Sequence, residues 1–471
     1  MIADLKPYPE YKPSSSAWLG DVPQHWRVLP NRALFAEVKD RNHPDEEMLS
    51  VTITKGIVRQ KALLEGSSKK DSSNLDKSAY KLVQPRDIAY NKMRAWQGAI
   101  GASELRGIIS PAYVVMRLRK DDDLPSYFHH LYRTPQFAKE AERWSYGITS
   151  DMWSLRPEHF KMIYTSEPPP EEQATIVRFL DWVSGKLERA IQAKRKVIAL
   201  LNEQKQAIIH RAVTRGLDPA VALKPSGIPW LGDIPAHWDT RKMKFLVSTI
   251  GGMTPNKGVT RFWEGRVPWV SPKDMKRREI GDSQDRITEA ALRETNISLI
   301  TPPAVLIVVR GMILARTFPT AVTTAPVTVN QDMKALTPKP MLNADFLVSL
   351  LTGIQRDVLN LVEESGHGTR CLRTDSWANF SIPLPPVPEQ VCINEHLKSE
   401  LAGVNGAISR LERGIDLLRK YRTRLVADVV TGKLDVRDAT ARLPEEVVPG
   451  TDVDEDDQSI EPEAADEEAV A

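Results

Sequence analysis

The chain contains 471 residues, of which 27% are charged and 41% hydrophobic, and its formal net charge is only +2. This length predicts two to four domains, and the two cysteines exclude a disulfide framework and are typical of a reducing compartment. The longest apolar run, Ala304–Val309, is too short to span a bilayer, and the N-terminal segment lacks the apolar core of a signal peptide. We therefore expect a cytoplasmic protein that does not contact a membrane.

The small net charge conceals an uneven distribution. Residues 437–471 contain 13 Asp and Glu against two Arg, which gives −11 there and +13 on residues 1–436. A basic body indicates a polyanionic partner, and an acidic tail without aromatic residues is typical of disorder. A solubilising end without a specific partner is the alternative interpretation of the tail.

A tryptophan box near the N-terminus is the first sign of a duplication. Trp18–Trp26 reads WLGDVPQHW, and Trp230–Trp238 reads WLGDIPAHW, seven identities in nine at an offset of 212. The Gly-Asp and Pro residues predict a turn, which the tryptophans fix to the domain or use to stack on a ligand. His25 and His237 recur with the box, but no second His or Cys stands at metal-ligand spacing, so we predict no metal site.

The stretch 27–166 alternates short β-rich runs with turns. Strands are predicted at Met48–Ile53, Asp87–Tyr90, Gly98–Ala102 and Ala112–Leu118, and a helix at Phe128–Ser145. Cations and aromatic residues alternate between positions 80 and 96. Such a mixture can hold phosphates and reach bases, although a solvated basic face has the same appearance.

A long helix is predicted at residues 171–216, and a second copy at 388–434 lies at an offset of 217. Both copies follow prolines, carry Glu in the first turn and end at Gly216 or Gly432. Apolar residues recur at steps of three, four or seven positions at Leu180, Leu187, Ile191, Ile198, Leu201 and Ile208, and at Leu397, Val404, Ile408, Leu411, Ile415, Leu418 and Leu425. This pattern predicts a coiled-coil seam, and about 43 helical residues make a rod of roughly 65 Å. The structural role that suits such a rod is that of a spacer.

One defect interrupts the predicted seam. Lys205 and its equivalent Arg422 occupy core positions of the heptad. A charge there either fixes the register of the helices or extends to solvent at the edge of the rod.

The stretch 239–382 follows the same plan as the first, although the two share little sequence. A flexible turn is predicted at Thr249–Asn256, cations lie among tryptophans in Trp263–Met275, and strands are predicted at Ala304–Arg310 and Thr324–Val329. Each half closes with a loop that carries Gly and Thr, at Tyr146–Phe160 and His367–Phe380. Because similar lengths hold unlike sequences, we predict one fold that recognises two different targets.

Catalytic signatures are missing from the sequence. No GxxxxGK[ST] phosphate loop, adenine-methyltransferase signature, GxSxG elbow or HExxH pair occurs. Asp274 and Lys276 have the spacing of a nuclease metal site but lack an upstream acid, so a surface ion pair is the favoured interpretation. We predict no catalytic residue and no bound metal.

Together these features resemble the specificity subunit of type I restriction-modification enzymes over residues 14–436. The matching segments are the two tryptophan boxes, Ala89–Ser103, Gly107–Arg117, Gly251–Thr254, Pro268–Met275, Val327–Leu336 and the paired Pro-Pro…Glu-Gln helix starts. The acidic tail is not part of the resemblance.

The resemblance implies an α+β protein in which two globular target-recognition domains are joined by two long antiparallel coiled-coil helices, with a pseudo-two-fold internal repeat. The segments are a first recognition domain (1–167), a spacer helix (168–216), a second recognition domain (217–382), a second spacer helix (383–436) and an acidic disordered tail (437–471). Each domain would bind half of a bipartite, asymmetric site in double-stranded DNA. Two adenine-methyltransferase subunits and the restriction subunits would assemble on the chain, so that S-adenosylmethionine, ATP and magnesium serve the partners and no cofactor binds here.

Polar residues beside the predicted loops are the candidate DNA contacts, because Arg pairs with guanine and Asn or Gln with adenine. They are Lys92, Arg94, Trp96, Gln97, Thr149 and Ser150 in the first half, and Asn256, Lys257, Lys273, Arg316, Thr369 and Arg370 in the second. For each of them, a contact to phosphate is the alternative to base readout.

Two other functional classes stay open on the sequence. One is a DNA-binding repeat protein that serves a lone methyltransferase or an antirestriction adaptor. The other is a self-sufficient nuclease, which would cut DNA without partners in the presence of magnesium.

Overall fold

A computed structural model describes residues 5–64, 76–147, 153–364 and 368–444. The chain divides into two compact units. The first unit consists of Met1–Lys194 and Arg413–Ala471, and the second of Arg195–Glu412. Each unit therefore combines one globular region with part of both long helices, whereas the predicted domains were consecutive segments of the chain.

The first unit contains a four-stranded antiparallel sheet of order β4-β11-β8-β9. Its strands are β1 (Tyr11–Pro13), β2 (Asp21–Pro23), β3 (Arg27–Pro30), β4 (Phe35–Val38), β5 (Leu49–Thr52), β6 (Gly56–Arg59), β7 (Lys81–Val83), β8 (Ile88–Asn91), β9 (Ile100–Ala102), β10 (Gly107–Ile109), β11 (Tyr113–Leu118) and β12 (Tyr164–Glu167). Its helices are α1 (Asn31–Leu34), α2 (Gln60–Leu64), α3 (Pro125–Tyr132), α4 (Pro135–Arg143), α5 (Pro157–Met162) and the first part of α6 (Pro170–Arg215). The four strands predicted in this half are confirmed to within two residues at each end.

The single helix predicted at Phe128–Ser145 is wrong, because two helices occupy this region. Pro135 opens α4, and the residue before it, Thr134, has an extended backbone with ψ of 148°. Proline has no N–H to donate to the preceding turn and excludes the helical conformation from the residue before it. The Thr134 side chain instead accepts a hydrogen bond from the backbone of Phe137 and caps the new helix.

The C-terminal end of the described chain is packed into the first unit. The second long helix is followed by α13 (Arg437–Ala441), in which Ala439 and Thr440 are buried. The Thr440 hydroxyl donates to the carbonyl of Thr175, and Arg178 donates to the carbonyl of Pro444 over 2.8 Å. The tail predicted to be disordered from residue 437 is therefore helical at its start, because it buries apolar surface there. The rest of it, residues 445–471, lies outside the described residues.

The second unit contains a five-stranded sheet of order β16-β23-β20-β21-β18. Its strands are β13 (Leu223–Pro225), β14 (Asp233–Pro235), β15 (Asp239–Lys242), β16 (Val247–Gly251), β17 (Trp263–Val270), β18 (Glu279–Ile280), β19 (Asp285–Ile287), β20 (Val305–Val308), β21 (Thr320–Thr323), β22 (Thr328–Val329), β23 (Met333–Pro338), β24 (Val362–Glu364), β25 (Arg370–Leu372) and β26 (Ser381–Leu384). Its helices are α7 (Met243–Leu246), α8 (Glu289–Glu294), α9 (Ala344–Gly353), α10 (Gln355–Leu359), α11 (Thr374–Asn379) and the first part of α12 (Val387–Val430). The order β16-β23-β20-β21 repeats the order β4-β11-β8-β9 of the first unit.

The strand predicted at Thr324–Val329 is only partly present. β21 ends at Thr323, and pairing resumes in β22 at Thr328. Pro326 lies between them and has no N–H for a ladder hydrogen bond. The predicted strand at Ala304–Arg310 is confirmed as β20, which is buried throughout.

The two long helices are confirmed, with 46 residues in α6 and 44 in α12. Both end at a glycine in the left-handed region, Gly216 with φ of 75° and Gly432 with φ of 78°. No described helix is both long and apolar enough to cross a membrane.

A buried carboxylate at the start of each long helix holds the tryptophan box. In the first unit Glu172, 7% exposed, accepts hydrogen bonds from Tyr8 Oη at 2.6 Å and Trp26 Nε1 at 3.0 Å, and contacts His25 Nε2 at 2.7 Å. Burial, together with the bond to Glu172, raises the pKa of Tyr8 well above its usual value. The boxes thus have the structural role favoured from the sequence.

The second unit repeats this arrangement with one donor fewer. Glu389 accepts from Trp238 Nε1 at 3.0 Å and contacts His237 Nε2 at 2.8 Å. The Glu389 side chain is 28% exposed, so water competes for it more than for Glu172.

We predict that Glu172→Ala lowers the free energy of unfolding of the first unit by about 3 kcal/mol, because it leaves buried donors without an acceptor. Glu389→Ala in the second unit costs less, about 1–2 kcal/mol, since its site is more exposed. Urea unfolding of the full chain, followed by tryptophan fluorescence, measures both. Glu171→Ala is the control, since the Glu171 side chain is exposed and adjacent; an equal loss from this control would contradict the role given to Glu172.

Candidate nucleic-acid interface

The turns at one edge of the sheet in the first unit form a continuous surface. Because β4 and β8 both run antiparallel to β11, the ends of β4 and β8 lie beside the start of β11. This first loop edge consists of residues 39–41 after β4, the hairpin loop 92–99 between β8 and β9, and Tyr113 at the start of β11. The backbone of Leu155 donates to the carbonyl of Lys92 and attaches the segment 153–155 to the same edge.

Four predicted DNA contacts lie in the hairpin loop of the first loop edge. Lys92, Arg94 and Trp96 are half-buried, and Gln97 is exposed. Trp96 is fixed by the bond from its Nε1 to the carbonyl of Met93 at 2.8 Å. Thr149 and Ser150, which were also predicted, lie outside the described residues.

Two aromatic residues beside this loop were not among the predicted contacts. The ring of Trp153 packs edge-on against Trp96, with centroids 5.5 Å apart. Tyr146 is 60% exposed, and its ring lies 5.0 Å from that of His159. Exposed aromatic faces next to cations are suited to contacts with nucleic acid. The loop that carries Gly and Thr pointed to this segment, but the sequence did not indicate which rings are exposed.

The second unit has a corresponding edge. The end of β16, the end of β20 and the start of β23 lie together because β23 is antiparallel to both neighbours. Backbone hydrogen bonds join the loops that follow: Met253 to Val329 at 2.9 Å, Val309 to Asp332 at 2.8 Å, and Gly311 to Arg370 at 2.9 Å. This second loop edge therefore comprises residues 252–258, 309–316, 329–333 and 368–371.

Gly252 in the TIGGMT turn makes one of these approaches possible. A Cβ atom at this position would lie 1.8 Å from the carbonyl oxygen of Asn330, so only glycine fits. The neighbouring Thr254 hydroxyl donates to the side chain of Gln331. The turn and the segment Val327–Leu336, which were separate parts of the family resemblance, are thus in contact.

Most of the predicted contacts of the second half lie on the second loop edge. Asn256 and Lys257 are exposed in the first loop, and the exposed Arg316 follows the turn that begins at Gly311. Thr369 and Arg370 are half-buried, and Arg370 forms an ion pair with Glu364 at 3.0 Å.

Lys273 does not belong to these loops. It lies in the turn after β17, and its Nζ is 2.7 Å from the carboxylate of Asp285 on β19. An ammonium that already has a carboxylate partner is less available for phosphate.

The Asp274–Lys276 pair proposed from the sequence is absent from the described contacts of Asp274. Its carboxylate instead accepts from the backbone and hydroxyl of Ser271, both at 2.9 Å, and from the backbone of Gln284 at 3.0 Å. Asp274 therefore caps a short 3-10 turn. In the parts of the chain that the structure describes, no three His, Cys, Asp or Glu side chains are grouped to hold a metal ion.

The predicted seam residues of the long helices all avoid full exposure. Leu180, Leu187, Ile191, Leu397, Ile415 and Leu425 are buried, and Ile198, Leu201, Ile208, Val404, Ile408, Leu411 and Leu418 are half-buried. Several of the buried ones pack into the cores of the globular regions, Leu180, Leu187 and Leu425 in the first unit and Leu397 in the second. Ile191, near the middle of α6, is buried, whereas Ile408, near the middle of α12, is half-buried.

The two charged seam positions each contact the opposite helix within their own unit. Lys205 donates to Asn405 Oδ1 at 2.8 Å in the second unit, and Arg422 lies 3.5 Å from Glu188 Oε2 in the first. Lys205 is equivalent to Arg422, and Glu188 to Asn405, at the repeat offset of 217. The same pair of equivalent positions is therefore in contact once in each unit.

A further contact joins the two helices within the first unit. The side chain of Lys194 on α6 passes Gly414 on α12, where a Cβ would lie 3.5 Å from its Cε and Nζ atoms. The absence of a side chain at Gly414 leaves room for this lysine between the helices.

Part of the sequence is similar to known proteins of one family. Residues 235–404 match the model of the type I restriction modification DNA specificity domain. The specificity subunit of the Escherichia coli enzyme EcoR124I/EcoR124II is 35% identical over 171 residues, which are 36% of this chain and 42% of that protein. The MjaIX specificity subunit of Methanocaldococcus jannaschii is 30% identical over 199 residues, 41% of this chain and 44% of that protein. The chain thus spans less than half the length of the curated relatives it matches.

The fold also matches a solved structure along most of its length. A chain from a study of complex assembly and conformational transition of the type I R-M system aligns with a TM-score of 0.61 and 16% identity, over 88% of this chain and 99% of that one. At this identity the match establishes a shared fold and nothing more.

For the seam, we predict that Ile415→Ala lowers the free energy of unfolding by about 2–4 kcal/mol, because it removes a side chain that is only 7% exposed. Leu417→Ala, two residues away and 67% exposed, changes it by less than about 0.5 kcal/mol. Thermal and urea unfolding of the full chain compare the two variants; similar losses from both would show that Ile415 is not packed as the structure describes.

Proposed function

We propose, from the fact that residues 235–404 carry a type I restriction modification DNA specificity domain, that this chain is the DNA sequence-specificity subunit of a type I restriction-modification system. The observation that carries the proposal is the convergence of polar, basic and aromatic loops at one sheet edge in each unit, on sheets that share their strand order. In this account the chain is not an enzyme, and its part in the reaction is to bind DNA and hold its partners.

Each loop edge contacts one half of a bipartite site in double-stranded DNA. The first edge presents Lys92, Arg94 and Gln97 beside tryptophans, and the second presents Asn256, Arg316 and Arg370. Arg side chains suit guanine, Asn and Gln suit adenine, and Lys suits phosphate. Because the two edges differ in their side chains, the two half-sites differ in sequence, and the complete site is asymmetric.

The long helices set the distance between the two recognition regions. The contacts Lys205–Asn405 and Glu188–Arg422 support an antiparallel pair, since both have residue numbers that add to the same value. Equivalent residues, at an offset of 217, are then related by a pseudo-two-fold axis, so that each contact recurs on the other side of the axis. Such a pair forms the coiled-coil spacer, with the charged seam positions fixing its register.

The same symmetry provides for two identical partners. Leu200 and Leu417 are equivalent in the repeat and are 65% and 67% exposed. Exposed leucines on a helix favour contact with another protein. In this account two adenine-methyltransferase subunits that bind S-adenosylmethionine dock on the helices, and restriction subunits that use ATP and magnesium join them. The chain itself binds none of these cofactors, and both methylation and cleavage require it.

The assignment of one half-site to each unit can be tested by substitution. We predict that Arg94→Gln alters the preferred sequence or the affinity for one half-site only, and Asn256→Ala for the other only, each by about 1–3 kcal/mol. Selection from a randomised duplex library by the assembled methyltransferase complex gives both half-sites for every variant. Arg189→Gln, an equal loss of charge on an exposed position of α6, is the control. If either substitution changed the preference for both half-sites, the assignment of one half-site to each unit would be wrong.

The spacer can be tested by shortening both helices together. Removing residues 195–201 from α6 and 409–415 from α12 deletes seven residues from each and keeps Glu188 opposite Arg422 and Lys205 opposite Asn405. At about 1.5 Å per residue the helices shorten by about 10 Å, so we predict a gap between half-sites that is about three base pairs shorter at 3.4 Å each. The same library selection measures the gap. An unchanged gap with both half-sites still recognised would refute the spacer role.

A further inference from the structure

Lys81, on the short strand β7, carries its charge into the interior of the first unit. It is only 8% exposed. It pairs with Ile109 on β10 and lies two residues from Val83, so that the three side chains share one face of the strands. Ile109 and Val83 belong to an apolar cluster with Leu49, Val51, Ala89 and Val115. The lysine stem therefore crosses apolar surface to bring its ammonium to the first loop edge.

The ammonium of Lys81 has one hydrogen-bond partner among the described residues. It donates to the carbonyl oxygen of Tyr113 at the start of β11. A lysine ammonium has three donors and no acceptor, and no described carboxylate lies within ion-pair distance of it. A buried ammonium without a counter-charge is costly, so such groups are normally paired.

The acid that acts on the charge of Lys81 already has other partners. Glu37 on β4 is close enough to act on Lys81, but its carboxylate lies 2.8 Å from Lys161 Nζ and 3.6 Å from Lys39 Nζ. Those two contacts, which outweigh its partial burial, keep the pKa of Glu37 below its usual value. Glu37 is thus shared between two other lysines.

Further cations surround the Lys81 ammonium. Arg41 is bridged to Lys81 through the backbone, and Lys92 follows β8 at the same edge. Burial and the charges of Lys92, Arg41 and Lys39 lower the pKa of Lys81 to about 8, against the attraction of Glu37. No side-chain partner occurs for Arg41 or Lys92 in the described parts of the chain. Three cations therefore converge with no described acid bound to any of them.

We propose that Lys81, Arg41 and Lys92 form a binding site for a phosphate group at the first loop edge, and that the phosphate is one of the DNA backbone. The assignment of this phosphate to the DNA backbone rests on the proposed function. A phosphate supplies the missing counter-charge, accepts the free ammonium donors of Lys81 and is matched by the planar fork of Arg41. Lys81 was not among the contacts predicted from sequence, because its companions lie 40 and 11 residues away in the chain.

The arrangement predicts opposite effects of one substitution on stability and on binding. Lys81→Met keeps the length of the side chain and removes a buried, unpaired charge, so the melting temperature of the free protein rises or stays constant at pH 7. Affinity for phosphate falls. An ordinary structural lysine would lose stability when replaced, and an ordinary surface lysine would change neither quantity.

The pH dependence has a definite sign. The pKa of Lys81 in the folded chain is about 8, below its usual value of 10.5. The free-energy penalty that the buried charge of Lys81 imposes on folding is therefore complete below pH 8 and disappears as the pH rises toward 10.5. Phosphate binding needs the protonated form, so affinity falls between pH 7 and 9. Arg41, Lys39 and Lys92 also face the site, and Lys81→Met isolates the part that belongs to Lys81.

The test uses the full-length chain in three arms. The first measures the rise in melting temperature caused by inorganic phosphate, with chloride at equal ionic strength as reference. The second measures duplex DNA affinity against salt concentration, and the third repeats both at pH 7 and 9. Lys81→Met is compared with Lys139→Met, an equal change at an exposed position of α4, and with Lys92→Gln in case Lys81→Met does not fold.

We expect that phosphate no longer raises the melting temperature of Lys81→Met, whereas it raises that of Lys139→Met as in the wild type. We also expect Lys81→Met to lower the slope of log DNA affinity against log salt concentration by about one. If Lys81→Met has a lower melting temperature than the wild type and an equal response to phosphate, the proposed phosphate site is wrong. Loss of the phosphate response with an unchanged DNA slope overturns the assignment to the DNA backbone. If the wild type responds to phosphate but binds no duplex selectively, the proposed function fails while the phosphate site stands.

Discussion

Each globular region is fixed to a long helix by a carboxylate in the first turn of that helix. Glu172 and Glu389 accept the indole N–H groups of the two tryptophan boxes, and those boxes lead directly into β3 and β15. β3 pairs with β12 and β15 with β26, the strands that precede the two helices. The start of each sheet region, its end and the first turn of its helix are thus held at one point. This attachment sets the direction in which each loop edge faces its helix.

This attachment explains how the same arrangement of strands and helices can carry two loop edges of different sequence. The boxes, the strand order and the helix contacts recur in both units, whereas the loops at the sheet edges differ in length and side chains. Loops can vary without loss of the core because their backbones lie outside the packed sheets. In the proposed function, the side chains that bind DNA are accordingly those of the loops, where the fold tolerates change, and the shared elements fix their position.

The sequence predicted what depends on periodicity or repetition. The long helices α6 and α12, the boxes and strands such as β8 and β20 all follow from patterns local to a few dozen residues. The helix break at Pro135 had a local signal, the proline itself, which the prediction of one continuous helix did not use. The anchoring role of Glu172 also had a signal, because an equivalent glutamate, Glu389, recurs in the repeat. The alternation of cations and aromatic residues between positions 80 and 96 pointed to Lys81 and Lys92, but no local pattern linked them to Arg41 or indicated that Lys81 is buried. The capping role of Asp274, by contrast, had a local signal in Ser271, three residues before it.

The central claim is that this chain selects the DNA sequence on which its partners act. Single-molecule sequencing of adenine methylation in the host genome, with the gene intact and deleted, tests it most directly. The account predicts that deletion abolishes methylation at one bipartite, asymmetric motif and that restoring the gene restores it. An unchanged methylation pattern in cells that express the methyltransferase partner would contradict the claim.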